Sequence, residues 1–245
     1  MDYTPLVLLF IAVGLIAFLY SSVGHAGASG YIAVMTLWGL APTVIRPTAL
    51  VLNILVASIG AFQFWRAGHF AWKLFWPFAV LSIPAAYLGG YLQPSASVLR
   101  VLIGLVLLFS AGRLIFRRSD PQNVLPPSNP TAIGLGAAIG FLSGLTGTGG
   151  GIFLTPLLLF CHWAHIRQAA AVSALFILVN SIAGLVGYFT AKHSIPPLGF
   201  ILAAAAIIGG TLGSYLGSRR FPVRAISLLL ATVLAIAGAK LIFTG

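Results

Sequence analysis

The stretch 147–156, with the sequence GTGGGIFLTP, interrupts a long apolar run with four glycines in five positions. Glycine lets the backbone turn and lets another group approach it closely. A helix that begins after such a break presents unpaired amide groups and a partial positive charge at its N-terminus. In lipid, exposed amides cost several kcal/mol each, so the break must be buried or line a cavity. The stretch therefore predicts a broken membrane helix whose start suits an anion.

The composition around this stretch is that of a membrane protein. Hydrophobic residues make up 60% of the 245 residues, and charged residues only 6%. A soluble domain carries roughly a quarter charged residues. Apolar runs of about 20 residues, the length that crosses a bilayer as a helix, recur along the whole chain. We therefore predict an all-α polytopic membrane protein.

A second glycine-rich stretch, 24–30 (GHAGASG), ends an apolar run in the first half as 147–151 does in the second. Other short matches keep the same order at nearly constant spacing: Ile45-Arg46 with Ile166-Arg167, 88–92 (LGGYL) with 212–216 (LGSYL), and 111–116 with 237–243. The pattern predicts membrane repeats over 1–118 and 131–245, joined by a proline-rich linker at 119–130.

Each repeat is predicted to hold a glycine-broken helical hairpin and three transmembrane helices. Repeat one has segments at 5–22, 30–41, 44–66, 72–92 and 96–116, and repeat two has segments at 131–145, 150–163, 167–190, 197–217 and 223–243.

The basic residues punctuate the ends of these segments, as topogenic charges do. Placing Arg117 and Arg118 in the cytoplasm, together with the basic group at 219–224, makes the linker cytoplasmic. The two repeats then have opposite orientations, and both termini are periplasmic. Arg46 and Lys192 do not fit this scheme. Inverted repeats with interrupted segments at matching positions are typical of secondary transporters.

The candidate substrate-binding residues lie at the two breaks and in the long span that follows each of them. Hydroxyls, imidazole and guanidinium groups can donate hydrogen bonds to oxyanions. The first half contributes Ser22, Gly24, His25, Gly27, Gly30, Arg46 and Asn53, and the second half contributes Thr146, Gly147, Thr148, Gly149, Gly150, Gly151, Arg167, Ser173 and Asn180. Glycines can also serve helix packing, arginines can snorkel to the interface, and buried amides can bridge helices.

The inventory of side chains excludes several other functions. The chain has no Glu, and its two acidic residues, Asp2 and Asp120, lie outside the apolar segments. Without a carboxylate pair, an HExxH motif or a metal cluster we expect neither an enzyme nor a cofactor. The second break lacks the Lys-Ser/Thr of a P-loop. The basic residues form no stripe with interleaved aromatics, so nucleic acid is not an expected partner.

These features resemble the TauE/SafE family, the sulfite exporter and toluene-sulfonate uptake permease group. The resemblance is carried by 147–156 and by Ala171-Val172-Ser173, and it extends over the whole chain in length and repeat layout. The first half departs from the pattern, because its break is interrupted and Met35 stands where the second half has Pro156. The resemblance implies movement of sulfite or a small organosulfonate across a bacterial inner membrane.

The missing carboxylates bear on the driving force. Proton or sodium coupling usually runs through buried Asp or Glu. The membrane potential alone contributes about 2.3 kcal/mol per charge per 100 mV, which favours the exit of an anion. We therefore expect potential-driven export. An uptake carrier whose coupling ion is held by backbone carbonyls remains an alternative, and His25 could carry a proton. An anion channel and a membrane scaffold are alternatives of a different class.

Overall fold

The computed structural model describes residues 4–22, 25–92, 94–115, 123–191 and 197–217, and short pieces at 234–236, 238–239 and 242–243. These residues form nine α-helices and no strand, so the predicted all-α fold is confirmed. The helices are α1 Thr4–Ser22, α2 Ala28–Leu37, α3 Pro42–Arg66, α4 Trp72–Tyr91, α5 Ala96–Ile115, α6 Asn129–Thr146, α7 Gly151–Phe160, α8 Ile166–Thr190 and α9 Leu198–Gly217. The predicted last segment, 223–243, falls mostly outside the described residues.

Some predicted helix ends are wrong by a few residues, for local reasons. The helix α2 stops at Leu37, because Gly39 takes a left-handed conformation that closes the C-terminus. The helix α6 starts two residues earlier than predicted, where the Ser128 side chain accepts a hydrogen bond from the amide of Thr131. Pro130 suits the first turn, since its missing N–H needs no partner there.

The two longest helices, α3 and α8, pack against each other in antiparallel directions. The Tyr188 hydroxyl donates to the Thr43 carbonyl near the start of α3 and the end of α8. Farther along, a methyl group at Gly60 would lie 3.9 Å from the Cβ of Ala174, near the start of α8. Contacts between early residues of one helix and late residues of the other define the antiparallel direction.

Two further pairs, α4 with α6 and α1 with α9, run parallel. On α6, the glycines at 136, 140 and 144 pack directly on the carbonyls of Phe78, Ser82 and Ala86 in α4. On α9, Gly209 and Gly213 pack in the same way on carbonyls of α1. Small residues four apart let helix backbones approach closely in membrane proteins.

The pairs correspond when each helix is exchanged for its counterpart in the predicted repeat. The α4–α6 pair then becomes α9–α1, the α4–α8 pair becomes α9–α3, and α3–α8 is left unchanged. In each half, the fourth helix thus packs against the first helix of the other half. The opposite orientation of the halves in a membrane stays a prediction.

Among the described helices, α3, α4, α8 and α9 are each long and apolar enough to cross a bilayer. The helices α1, α2, α5 and α7 supply shorter apolar stretches. Large apolar side chains face outward, among them Leu15 on α1, Leu105 on α5 and Phe200 on α9. An outer surface of this kind suits lipid rather than water.

Candidate functional site

The break between α6 and α7 is a chain reversal built on glycine. Gly147, Gly149 and Gly150 have φ values of 80°, 72° and 81°, in the left-handed region that side chains with a Cβ rarely adopt. Gly150 is the N-cap of α7, and no side chain caps that helix. The first amides of α7 therefore lack the side-chain acceptor that Ser128 provides at the start of α6.

This second break lies about halfway along α3 and α8. A methyl group at Gly149 would lie 2.9 Å from Nδ2 of Asn53 and 2.8 Å from Oγ of Ser181. It would also lie 2.7 Å from Ile177. These neighbours are near the middles of Pro42–Arg66 and Ile166–Thr190, so the start of α7 points into the centre of the molecule.

Polar side chains without hydrogen-bond partners surround the second break. Asn53, Ser181 and Ser143 are each 0% exposed. Both side-chain polar atoms of Asn53, and the hydroxyls of Ser181 and Ser143, have no partner among the described residues. Ser143 lies beside Gly150. A buried polar group without a partner costs about 1–3 kcal/mol, and such a cluster at one place indicates a ligand site.

Arg46 lies next to this break but is fully engaged with backbone groups. Its side chain is 1% exposed. The Nε group donates to the Gly144 carbonyl at 3.1 Å, and Nη2 donates to Gly89 and Gly90, each at 2.6 Å. The Nη1 group donates to the Leu92 carbonyl at 3.1 Å. The guanidinium thus binds the C-terminal carbonyls of α4 and one carbonyl near the end of α6, where the helix dipoles favour a cation.

The backbone and the Cγ atom of Arg46 lie beside the break. A methyl group at Gly147 would lie 2.8 Å from the Arg46 carbonyl oxygen and 3.1 Å from its Cγ. The guanidinium itself is occupied by four backbone carbonyls, and a role of Arg46 in binding substrate stays a prediction. Its long-range attraction for an anion remains.

The other predicted residues of the second half divide into two groups. Thr146 and Thr148 are buried at the break, and their hydroxyls lie 3.0 Å apart. Ser173 and Asn180 lie on α8 and already have partners, since Ser173 accepts from the Thr155 hydroxyl at 2.8 Å and Asn180 Nδ2 donates to the Phe176 carbonyl at 2.9 Å. The Asn180 side-chain oxygen has no partner in the described structure.

The first break is narrower and more aromatic. Gly27, the uncapped N-cap of α2, has φ 98°, and its Cβ position is filled by the Tyr31 ring. Gly30 packs against Ile16 and Tyr20 of α1. The His25 amide donates to the Tyr20 carbonyl, and its side chain is half-buried.

The remaining predicted residues of the first break contribute little to its geometry. The Ser22 hydroxyl donates to the Leu19 carbonyl at 2.7 Å at the end of α1. Gly24 lies outside the described residues.

Arg167, predicted as the counterpart of Arg46, lies elsewhere. It is exposed at the start of α8, in an open hollow of about 590 Å³. The hollow is lined by Gly68, His69, His165, Ile166, Arg167 and Gln168. Arg167 is the second residue of α8, whereas Arg46 is the fifth residue of α3. The structure therefore does not bring Arg167 to the breaks.

Comparison with known proteins identifies the family. A family model described as sulfite exporter TauE/SafE matches residues 9–241. The chain belongs to the TauE/SafE family. A probable membrane transporter protein, y4hK, of Sinorhizobium fredii is 40% identical over 242 residues, covering 96% of this chain and 97% of that protein. A second, YjnA of Bacillus subtilis, is 25% identical over 241 residues, covering 89% and 92%. No solved structure matches.

Membership of the TauE/SafE family makes this chain a multi-pass membrane transporter for a small molecule. The sequence alone did not single out Ser181, which lies beside Gly149, or Tyr31, which lies beside Gly27. Ser181 follows Asn180 within an apolar span, and Tyr31 lies in a short apolar helix. Only an inventory of polar residues inside apolar segments would have singled them out, without showing which of them lack partners.

Proposed function

We propose that this TauE/SafE transporter exports a small sulfur-containing anion, sulfite or a short organosulfonate, and that the membrane potential drives the export. The observation that carries the proposal is the uncapped start of α7 beside Asn53, Ser143 and Ser181, whose polar side chains are buried without partners. The family description supports the sulfur chemistry of the substrate.

The chemistry of this cluster favours a compact oxyanion. Hydroxyl, amide and backbone N–H groups all donate hydrogen bonds, and several short donors around one point match the tetrahedral or pyramidal oxygens of sulfite and sulfonate. An ionised acceptor strengthens such bonds about twofold over neutral ones. The start of α7 adds partial positive charge. Arg46 adds a full charge, since its Nε group donates to the carbonyl of Gly144, three residues before Gly147.

The charge inventory supports the proposed direction of transport. No apolar segment contains a carboxylate, because both aspartates lie outside those segments and Glu is absent. A monovalent anion leaving a cell with a negative interior gains about 2.3 kcal/mol at 100 mV. Export along this gradient needs no coupling ion.

The proposed setting is a bacterial inner membrane, with the linker 119–130 in the cytoplasm and both termini in the periplasm. The antiparallel α3–α8 pair and the parallel α4–α6 and α1–α9 pairs are the contacts that two oppositely oriented halves require. Reporter fusions at each terminus and at 123–128 test this orientation. A periplasmic linker would overturn it.

The test of function is flux of ³⁵S-labelled sulfite from proteoliposomes with a potential set by potassium and valinomycin. Potential-driven export predicts efflux that accelerates as the interior becomes more negative and that ignores a pH gradient. Efflux that tracks pH or sodium at fixed potential would instead support the ion-coupled uptake carrier, with His25 as the first residue to substitute.

A channel is the second alternative, and saturation separates it from a carrier. A carrier predicts flux that saturates with sulfite and exchange of labelled for unlabelled anion. A channel predicts ohmic current in planar bilayers without countertransport. Methanesulfonate and sulfoacetate as competitors would then show whether the site accepts an organic group.

A further inference from the structure

A further buried donor, the hydroxyl of Tyr31, lies on α2 beside the first break. The side chain of Tyr31 is 0% exposed, and its hydroxyl has no hydrogen-bond partner among the described residues. A phenol usually finds a partner when it is buried. Its neighbour Tyr20 does so, since its hydroxyl lies 2.9 Å from that of Ser29.

The position of this phenol is set by the glycine that precedes α2. The Tyr31 amide donates to the Gly27 carbonyl at 2.9 Å, and the ring folds back over the start of the helix. A methyl group at Gly27 would lie 2.9 Å from the Tyr31 hydroxyl oxygen and 2.8 Å from the ring carbon that carries it. Gly27, with φ 98°, thus leaves room for the hydroxyl at the uncapped N-terminus of α2.

The fourth residue of α7, counted from the helix start as Tyr31 is in α2, shows that a short helix does not need a phenol at this position. Both α2 and α7 have ten residues, and Leu154 occupies the fourth position of α7 as Tyr31 occupies the fourth of α2. Leu154 is fully buried and apolar. The phenol therefore carries a polar group that packing alone does not call for.

One turn of α3, from Asn53 to Val56, lies between the second break and the end of α1. Ser21, at the end of α1, has a buried hydroxyl without a partner. A methyl group at Gly210 would lie 3.5 Å from this hydroxyl and 3.0 Å from Val56. Val56 is one helical turn from Asn53, which contacts Gly149 of the second break. Buried donors without partners thus occur at both ends of this short path.

We infer that Tyr31 is a substrate-binding residue, whose hydroxyl donates a hydrogen bond to an oxygen of the transported sulfur oxyanion from the side of the first break. This inference rests on the proposed function and deepens it. The second break supplies amide, hydroxyl and carboxamide donors, and the first break supplies one phenol. The two halves then hold the anion from opposite sides with different chemistry.

The test is the variant Tyr31→Phe, which removes one oxygen atom. Purified protein is reconstituted, and ³⁵S-sulfite efflux is measured as a function of sulfite concentration. Losing one hydrogen bond to a charged group is expected to raise KM about tenfold, with little change in the maximal rate. The melting temperature without substrate is expected to stay the same or rise, because the hydroxyl has no partner to lose in the described part of the chain.

The matched control is Tyr20→Phe, which removes a phenol that does have a partner. It is expected to lower the melting temperature and to leave KM within about twofold. If Tyr31→Phe lowers the melting temperature as Tyr20→Phe does and keeps the wild-type KM, the phenol is structural and the inference is overturned.

The two proposals fail in different ways. If the wild-type protein moves neither sulfite, thiosulfate nor methanesulfonate, the proposed function fails and the inference falls with it. If the wild type moves any of them and Tyr31→Phe has the same KM for that anion, only the inference fails. A raised KM with an unchanged melting temperature supports both.

Discussion

The two glycine breaks occupy corresponding places in the chain, yet they are built from different side chains. Around the second break, Asn53, Ser143 and Ser181 are buried without partners. At the first break, the Tyr20 and Ser29 hydroxyls satisfy each other, whereas the Tyr31 hydroxyl, like that of Ser21 at the end of α1, has no partner among the described residues. The difference teaches that a repeated backbone feature need not carry a repeated site, since the neighbouring helices supply the chemistry.

The arginines that follow the breaks differ even more. Arg46 is buried and binds four carbonyls at the ends of α4 and α6, whereas Arg167 is exposed in a hollow at the start of α8. The matching Ile-Arg dipeptide thus supplies a buried arginine that binds helix ends in one half and an exposed charge in the other.

The largest expected effect comes from Arg46→Met, which removes the guanidinium that binds the ends of α4 and α6. The substitution removes the donor of four carbonyls, those of Gly89, Gly90 and Leu92 at the end of α4 and that of Gly144 in α6. We expect this loss to lower the free energy of unfolding by at least about 3 kcal/mol. The readout is the melting temperature and monodispersity of purified protein. Normal stability together with lost sulfite flux would instead make Arg46 a direct substrate ligand.

The next effect concerns the second break itself, through Gly149→Ala. Alanine disfavours the left-handed conformation by about 1–2 kcal/mol, and its Cβ would press on Asn53, Ser181 and Ile177. Displacing the donors by about 1 Å is expected to cut flux roughly 100-fold.

The matched control is Gly134→Ala on α6, where an added Cβ meets no atom within 4 Å. It should keep wild-type flux and gain up to about 1 kcal/mol of stability. Equal losses in the two variants would contradict the special role of the second break.

A smaller and more selective effect is expected from Asn53→Leu, which keeps the volume and removes the amide. Because neither polar atom of Asn53 has a hydrogen-bond partner among the described residues, stability should hold or rise. Losing its bond to an anion should raise KM for sulfite roughly 10- to 100-fold. An unchanged KM in concentration-dependent flux assays would show that the anion does not contact the second break.

The smallest effect is expected from Arg167→Gln. The side chain is exposed and no hydrogen bond of its guanidinium occurs in the described structure, so the melting temperature should shift little. Its charge can still steer anions toward the hollow, so flux at low salt should fall about two- to threefold, and the difference should vanish at high salt. A loss as large as that of Asn53→Leu would bring Arg167 into the binding site.

Most of the fold, and the position of the second glycine break, could be predicted from the sequence. The predicted helix positions agree closely with those observed. Helix ends depend on the length of each apolar run and on nearby Gly and Pro, which act within a few residues. Gly147, Gly149 and Gly150 were placed at a break for the same local reason. The treatment of Arg46 and Arg167 as a matched pair did not agree with their surroundings, because burial depends on which helix ends pack around each side chain.

By itself, the sequence determined that the chain is an all-α membrane protein with two glycine breaks, and that no carboxylate lies in its apolar segments. Those properties are local or additive along the chain. The tertiary structure alone decided that Arg46 binds carbonyls, that Asn53 and Ser181 meet at Gly149, and that the Tyr31 phenol lacks a partner. Hydrogen-bond satisfaction depends on groups far apart in sequence, and only the packing of α3 and α8 around the breaks brings those groups together.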